Sequence, residues 1–382
     1  MVAIANRIIK AITEYAKRRI NLMEVCGTHT TVIAKSGIRS MLPKTLNLLS
    51  GPGCPVCVTP QETIDYAIAL IQEKNVIVTT FGDMVRVPGT HSSLEPYGPK
   101  IVYSPLDALT VATENPEKDV VFIGVGFETT SPTIAATVMV AHEKKIMNFY
   151  VLPAFKLIPP ALDFIASSSE IKVHGFILPG HVSTIIGSKP YEFLNEKYRL
   201  PGCITGFEPI DILQGILVLT RQIAEDNPAI TIEYERAVKS DGNRKALDLL
   251  YRVFELCDAR WRGIGTIPKS GLKFSADFLS YDIRMKYKIE VPESVEPKGC
   301  ICGRVLLGLN MPFDCALFGD KCTPLTPVGP CMVSSEGSCA AYYKYGDYKR
   351  QRRAIKGTKR RKSRRHQRAT GHSILRPNQR FG

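Results

Sequence analysis

The chain has 382 residues, 11 cysteines and a formal net charge of +14, but 14 of its 50 Lys and Arg lie in the segment 349–382, which contains no Asp or Glu. Residues 1–348 are therefore neutral, which argues against a nucleic-acid-binding protein, and no apolar run approaches the roughly 18 residues of a membrane span. Residues 1–19 predict an amphipathic helix rather than a signal peptide. We therefore expect a cytoplasmic protein, in which clustered cysteines indicate metal or redox chemistry rather than a disulfide framework.

A short apolar strand, a Gly/Pro turn and a helix recur between residues 20 and 207. The predicted strands are 20–25, 45–49, 76–81, 120–125, 149–152, 173–178 and 202–205. The predicted helices between them include 132–145 and 159–166. Alternating strands and helices are typical of βαβ units with parallel sheets. We predict an α/β fold of two Rossmann-like lobes, with mainly parallel sheets that face each other across a cleft.

The pattern changes after residue 209. Residues 210–224 and 245–260 predict long helices, and a strand-poor stretch continues to residue 297. The predicted organisation is an N-terminal helix and first lobe in 1–115, a second lobe in 116–209, a helical and irregular iron–sulfur domain in 210–348, and a basic tail in 349–382. The tail lacks hydrophobic periodicity and is expected to be disordered in isolation.

Cys54 and Cys57 lie three residues apart in the stiff turn Gly-Pro-Gly-Cys-Pro-Val-Cys at 51–57. A capping box is predicted at 59–62, where Thr, Pro and Glu take the N-cap, N1 and N3 positions of a helix. The positive end of that helix would favour the thiolate form of both cysteines. A redox pair, half of a metal site and a structural disulfide are all compatible with this pattern.

Other chemistry-bearing residues also follow predicted strands, at the carboxyl ends where the functional groups of parallel sheets gather. Cys26 lies three residues before His29, so a thiolate and an imidazole are available for metal binding or nucleophilic chemistry, although a lone cysteine is more often structural. Asp83, Glu128 and His181 are further candidates for the cleft. Alternatively, each of the two acidic residues caps a helix.

Four cysteines near the C-terminus are separated by 6, 8 and 7 residues on a loop rich in Gly and Pro: Cys315, Cys322, Cys331 and Cys339. Four thiolates on such a loop fit an iron–sulfur cluster. A tetrathiolate zinc site is the main alternative, but its cysteines usually come in closely spaced pairs. Cys300 and Cys302 are too close together to ligate one metal easily, and we expect them to pack beside the site or to form a redox reserve.

Six motifs occur in one order between about residues 20 and 348. They are Cys-Gly-Thr-His-Thr at 26–30, Gly-Pro-Gly-Cys-Pro-Val-Cys at 51–57, Phe-Gly-Asp-Met at 81–84, Gly-Phe-Glu-Thr-Thr-Ser-Pro at 126–132, Pro-Gly-His-Val-Ser at 179–183 and Cys-Met-Val-Ser-Ser-Glu-Gly-Ser-Cys at 331–339. Together they resemble the nickel–iron hydrogenase maturation factors of the HypD family. The basic tail lies outside this resemblance.

The resemblance implies a redox-active scaffold, rather than a conventional turnover enzyme, for building the Fe(CN)2CO centre of nickel–iron hydrogenases. Iron with cyanide and carbon monoxide ligands would be bound transiently and held jointly with a HypC-type chaperone. Cyanide would come from a HypE-type donor, and the loaded iron would pass to the hydrogenase large subunit.

By position, the resemblance makes Cys26 the principal iron thiolate, with His29 nearby. Cys54 and Cys57 would be a thiol/disulfide pair, and the resemblance leaves open whether they also ligate iron. The pair would exchange electrons with a 4Fe–4S cluster, whose implied ligands are Cys315, Cys322, Cys331 and Cys339.

A self-contained iron–sulfur oxidoreductase acting on a small molecule is the second function compatible with these residues. It would need an organic cofactor or a substrate pocket. The turn at 124–126 resembles a dinucleotide-binding turn, but Thr129 stands where that motif has its third glycine.

Overall fold

Parallel strands alternate with helices along most of the chain in this computed structural model, which describes residues 2–291 and 294–346. The predicted tail, 349–382, lies outside the described residues. The strands are β1 (Ile20–Glu24), β2 (Leu46–Ser50), β3 (Val76–Thr80), β4 (Lys100–Ile101), β5 (Asp119–Gly126), β6 (Phe149–Phe155), β7 (Gly175–Pro179), β8 (Gly202–Thr205), β9 (Ile230–Ile232), β10 (Phe254–Trp261) and β11 (Gly265–Phe274).

The helices vary from one turn to four turns in length. They are α1 (Val2–Tyr15), α2 (Gly27–Lys35), α3 (Ile38–Met41), α4 (Pro55–Val58), α5 (Gln61–Gln72), α6 (Pro105–Glu114), α7 (Ser131–Glu143), α8 (Ile158–Ser167), α9 (Gly180–Ile186), α10 (Phe193–Tyr198), α11 (Pro209–Ala224), α12 (Arg244–Val253), α13 (Ile283–Lys286), α14 (Cys302–Leu306) and α15 (Ser338–Tyr345). Within the described ranges, no helix is long and apolar enough to cross a membrane.

Two parallel sheets organise the fold. Sheet I has the strand order β2-β1-β7-β8-β9, and sheet II has the order β4-β3-β5-β6. The prediction of an α/β fold with mainly parallel sheets is confirmed. Sheet I takes β1 and β2 from the predicted first-lobe segment 1–115, β7 and β8 from the second-lobe segment 116–209, and β9 from the segment 210–348.

The inner faces of the two sheets share one hydrophobic core. Met23 and Phe176 of sheet I belong to the same buried cluster as Val121 and Leu152 of sheet II. Helices α1 and α11 cover the outer face of sheet I, and α6 and α7 cover that of sheet II. Burial of each large apolar side chain contributes about 1.5–3 kcal/mol, so this shared core holds the sheets together beneath the loops at their carboxyl ends.

An antiparallel hairpin replaces part of a predicted helix. The helix predicted at 245–260 ends at Val253, and the following residues form β10, which pairs with β11. Phe254 and Trp261 are fully buried at the two ends of β10, and the Trp261 indole N–H donates to Ser270 Oγ at 2.7 Å. The prediction of a strand-poor stretch to residue 297 is therefore wrong, because β10 pairs with β11 and this pairing holds both aromatic anchors in the core.

The cysteine-rich C-terminal region is largely irregular, as predicted, and α15 ties it to sheet I. The Arg39 guanidinium lies over the Tyr342 ring of α15, 4.9 Å from its centroid. Arg39 also forms a 2.8 Å ion pair with Glu24, a fully buried carboxylate at the end of β1 that accepts from the Ser50 hydroxyl. The C-terminal cysteines are thus held at the carboxyl ends of β1 and β2.

Candidate metal and redox site

Cys26 lies between β1 and α2 and is 8% exposed. The turn after β2 packs against it, and the Gly27 N–H donates to the Gly53 carbonyl at 2.9 Å. A Cβ on Gly53 would lie 2.2 Å from the Cys26 backbone nitrogen, so only glycine permits this approach. Burial raises the pKa of the Cys26 thiol to about 11, although backbone N–H groups at the start of α2 oppose the shift. The predicted iron thiol and the predicted redox turn are therefore neighbours.

Cys54 and Cys57 bracket α4, a single helical turn. Cys54 is the N-cap, and its Sγ accepts the Cys57 N–H at 3.2 Å. The predicted capping box at 59–62 is wrong, because Thr59 ends α4 and donates its hydroxyl hydrogen to the Pro55 carbonyl, while α5 begins without a side-chain cap. Burial raises the pKa of Cys57 well above its usual value. At Cys57, the cost of burying a negative charge therefore outweighs the stabilisation of the thiolate that was expected from the positive end of a helix.

Cys331 connects this pair with the C-terminal cysteines. Its thiol is close enough to the thiols of Cys57, Cys302 and Cys339 for them to lower its pKa well below the usual value. Cys302 Sγ in turn lies 3.4 Å from Cys300 Sγ. The cysteines therefore form a row of sulfurs in the order Cys54, Cys57, Cys331, Cys302 and Cys300, of which the first three are buried and the last two partly buried.

Cys315 and Cys322 lie on the same C-terminal loop. Cys315 Sγ lies 3.6 Å from the carbonyl oxygen of the residue before Cys300. Cys322 Sγ accepts the Val328 N–H at 3.3 Å, and it is close enough to Cys300 and Cys302 for their charges to raise its pKa, after burial as the main cause. All six C-terminal cysteines therefore belong to one region of the protein.

The donor set in this region suits an iron–sulfur cluster, because thiolates are the usual ligands of such clusters. Gly329 packs directly against two of the sulfurs, since a Cβ there would lie 2.7 Å from Sγ of both Cys300 and Cys302. In residues 2–291 and 294–346, no group of three or more His, Cys, Asp or Glu side chains is arranged to hold a metal ion.

Glu336 is a residue of this site that sequence reasoning does not identify. Its Oε1 accepts the Thr28 hydroxyl hydrogen at 2.7 Å. A Cβ on Gly27 would lie 2.4 Å from Glu336 Cβ, so the loop carrying Glu336 packs directly on the first turn of α2. The sequence does contain one indication of its importance, since Glu336 is the only charged residue in the motif at 331–339.

The Glu336 carboxylate also faces three residues predicted from the sequence. Its charge adds to burial in raising the pKa of Cys26 and of Asp83. At His181, desolvation lowers the pKa and the Glu336 charge partly offsets it. The structure therefore brings Cys26, Asp83 and His181 together around Glu336.

His29 is fully buried and turns its ring towards the end of β8. Its Nε2 lies 2.9 Å from the Gly206 carbonyl oxygen and 3.0 Å from Thr205 Oγ1. Its ring stacks on Phe207, which stacks in turn on His181 at a centroid distance of 3.9 Å. Burial lowers the pKa of His29 to about 4, so the imidazole is neutral. Its backbone N–H, rather than its ring, acts on the Cys26 thiol.

Glu128 is 2% exposed and caps a helix with one of its oxygens. Its Oε1 accepts the Ile158 N–H, at the first residue of α8, at 2.9 Å. Its Oε2 is buried and has no hydrogen-bond partner among the described residues. Burial raises the pKa of Glu128 to about 7. The structure therefore places Glu128 in the alternative position of a helix cap, buried in the protein.

Fold and site together define a thiol-rich α/β protein. A family model described as HypD, "Hydrogenase formation hypA family", matches residues 3–346. The chain is 43% identical to "Hydrogenase maturation factor HypD2" of Bradyrhizobium diazoefficiens, over 92% of this chain and 97% of that protein. It is 42% identical to "Hydrogenase maturation factor HypD" of Azotobacter vinelandii, over 89% of this chain and 92% of that protein. It is 41% identical to the protein of the same name in Cupriavidus necator, over 87% of this chain and 91% of that protein. The chain belongs to the HypD family, and this membership supports a role in hydrogenase maturation.

Proposed function

We propose that this chain is a scaffold on which the Fe(CN)2CO unit of nickel–iron hydrogenases is assembled. The iron is cargo: it binds Cys26 and is shared with a HypC-type chaperone, cyanide arrives from a HypE-type donor, and the loaded iron passes to the hydrogenase large subunit. The observation that carries the proposal is the row of sulfurs, which begins at the turn packed on Cys26 and ends among the C-terminal cysteines. Soft thiolates suit iron with strong-field ligands.

Cys26 supplies the iron thiolate in this proposal. Because burial raises its pKa to about 11, the thiol stays protonated until iron displaces the proton. In this proposal Asp83, His181 and Glu336 orient incoming groups or exchange protons with them, since the Glu336 charge acts on Cys26, Asp83 and His181 alike. The neutral ring of His29 fixes the first turn of α2 against the end of β8.

The row of sulfurs supports an exchange of disulfides without net oxidation or reduction. When Cys54 and Cys57 are joined as a disulfide, the Cys331 thiolate attacks Cys57 Sγ, a Cys57–Cys331 bond forms, and Cys54 leaves as a thiolate. The Cys302 thiolate then attacks Cys331 Sγ, and Cys57 is released. The disulfide has moved to Cys302 and Cys331, and Cys54 and Cys57 are again reduced.

A resident 4Fe–4S cluster, when bound, would accept and release single electrons. The proposed ligands are Cys315, Cys322, Cys331 and Cys339, as the family resemblance implies. The position of Cys331 beside Cys57 and Cys302 equally suits the disulfide exchange described above. If Cys331 takes part in that exchange, Cys300, which lies beside Cys302, would replace it as the fourth cluster ligand.

Infrared spectroscopy tests the scaffold proposal on the full-length chain, produced anaerobically with its HypC-type and HypE-type partners. The wild-type complex should show stretching bands of iron-bound cyanide and carbon monoxide. Cys26→Ala should lose these bands and keep its cluster. The matched control Cys257→Ala removes a half-buried thiol of β10 and should retain them. A cluster-loaded wild-type complex without the bands overturns the proposal.

Iron and sulfide analysis of the same preparations decides the fourth cluster ligand. If Cys331 is a ligand, Cys331→Ser loses most of its cluster and Cys300→Ser keeps it. If Cys331 exchanges disulfides instead, the two variants show the opposite pattern, and Cys331→Ser fails to mature the hydrogenase.

A further inference from the structure

Arg262 is a buried cation at the tip of the hairpin formed by β10 and β11. It is 4% exposed. Its backbone N–H donates to the Val58 carbonyl at 2.9 Å, directly after the Cys54 and Cys57 turn, and its Nη1 donates to the Pro88 carbonyl at 2.6 Å. Its Nε and Nη2 are buried and, within the described part of the chain, have no hydrogen-bond partner. A buried guanidinium with two unused donors is costly unless negative charge lies nearby.

The side chain of Arg262 lines a cavity of about 140 Å³ together with Cys300 and Cys302. The hairpin tip is pressed against the start of α14, since a Cβ on Gly303 would lie 1.9 Å from the Gly263 carbonyl oxygen. Among the described residues, the ion-pair partner of Arg262 is Glu296, whose Oε2 lies 3.7 Å from Arg262 Nε and whose side chain is 48% exposed. One half-exposed carboxylate at this distance compensates the buried guanidinium charge only in part. Arg304, the second arginine of the lining, is exposed and donates to Asn310.

We propose that Arg262 is the charge-compensating residue of the C-terminal thiol centre and sets its reduction potential. The inference rests on the proposed iron–sulfur cluster. A buried positive charge, and N–H groups directed at sulfur, stabilise the more negative, reduced form. Arg262 therefore makes the centre easier to reduce, while Glu296 weakens this effect. Since Arg262 also bonds to Val58, the same residue fixes the Cys54 and Cys57 turn beside the cavity.

The two residues predict shifts of opposite sign. Arg262→Gln removes the cation and should lower the potential, with the reduction equilibrium falling about tenfold, which is about 59 mV for a one-electron couple. Glu296→Gln removes the opposing charge and should raise the potential by a smaller amount, because Glu296 is half exposed. Arg262→Lys keeps the charge and should restore most of the wild-type potential. A purely structural role of Arg262 predicts none of these shifts.

The experiment is a redox titration of the full-length protein followed by electron paramagnetic resonance, with iron and sulfide measured on each sample. Arg260→Gln is the matched control, because Arg260 lies near the end of β10, two residues before Arg262, but is half exposed and paired with Glu62. The control should titrate like the wild type. If Arg262→Gln does not fold, Glu296→Gln and Arg262→Lys still carry the test. Unchanged potentials, or shifts of the same sign, in cluster-loaded Arg262→Gln and Glu296→Gln overturn the inference. A wild-type protein without a cluster overturns the proposed cofactor, and this inference with it.

Discussion

The thiol of Cys26 should react with iodoacetamide much more slowly than an ordinary cysteine. Burial raises its pKa from 9.0 to about 11. Near pH 8 the reactive thiolate is then about one molecule in a thousand, against about one in ten for an unperturbed thiol. Alkylation should therefore be about 100-fold slower, before any steric protection by the Gly53 turn.

The assay is a timed alkylation of the metal-free chain at a series of pH values, with the Cys26 peptide quantified by mass spectrometry. The rate should rise about tenfold per pH unit and level off only near the raised pKa. The same peptide in the urea-unfolded chain is the internal control, and its alkylation rate should level off about two pH units lower. A folded protein whose Cys26 rate is already constant near pH 9 would refute the reasoning. Cys26 would then be a pre-formed thiolate, as a nucleophile requires.

Two further predictions concern the walls of the site. Burial raises the pKa of Glu128 from 4.5 to about 7, so the stability that its protonated form contributes is present below about pH 4.5 and is lost as the pH rises through about 7. The side chain of Glu128→Gln stays neutral at every pH. Its free energy of unfolding in urea should therefore exceed that of the wild type by about 3 kcal/mol near pH 8 but not near pH 4.5. An equal difference at both pH values would contradict this prediction. Gly53→Ala should lower the free energy of unfolding by about 1–3 kcal/mol and weaken iron binding, because the added Cβ meets the backbone at Cys26. The control Gly82→Ala, whose Cβ meets nothing closer than 3.7 Å, should behave like the wild type, and equal effects of the two substitutions would contradict the packing argument.

The parallel strands could be predicted from the sequence because each is a short apolar run that ends in a Gly or Pro turn. The predicted strand at 202–205 agrees with β8, and that at 76–81 ends one residue beyond β3. The hairpin could not be found in the same way. The apolar residues at 250, 253, 254, 257 and 261 repeat at helical spacing, so a local pattern favours a longer helix. Pairing with β11 and burial of Trp261 override that pattern.

The residue types of the site were visible in the sequence, but most of its contacts were not. Cys57 and Cys331 are far apart along the chain, and their contact depends on how the C-terminal loop packs against α4. Glu336 and Arg262 look like ordinary charged residues until their burial and partners are known. The error at Thr59 has a local cause, since the Cys-Pro pair at 54–55 starts a helical turn of its own and takes up the Thr59 hydroxyl.

Sheet I combines strands from distant parts of the chain, so the site can form only late in synthesis. β1 pairs with β2 early, but its other edge stays open until β7 has been made, after all of sheet II. The partners of His29 at the end of β8 emerge later still, and the hydrogen bond from Thr28 awaits Glu336. A ribosome-bound chain therefore carries Cys26 without its surroundings for most of translation. We expect metal capture to be a property of the finished polypeptide, which protects the nascent chain from binding iron before its partners can reach it.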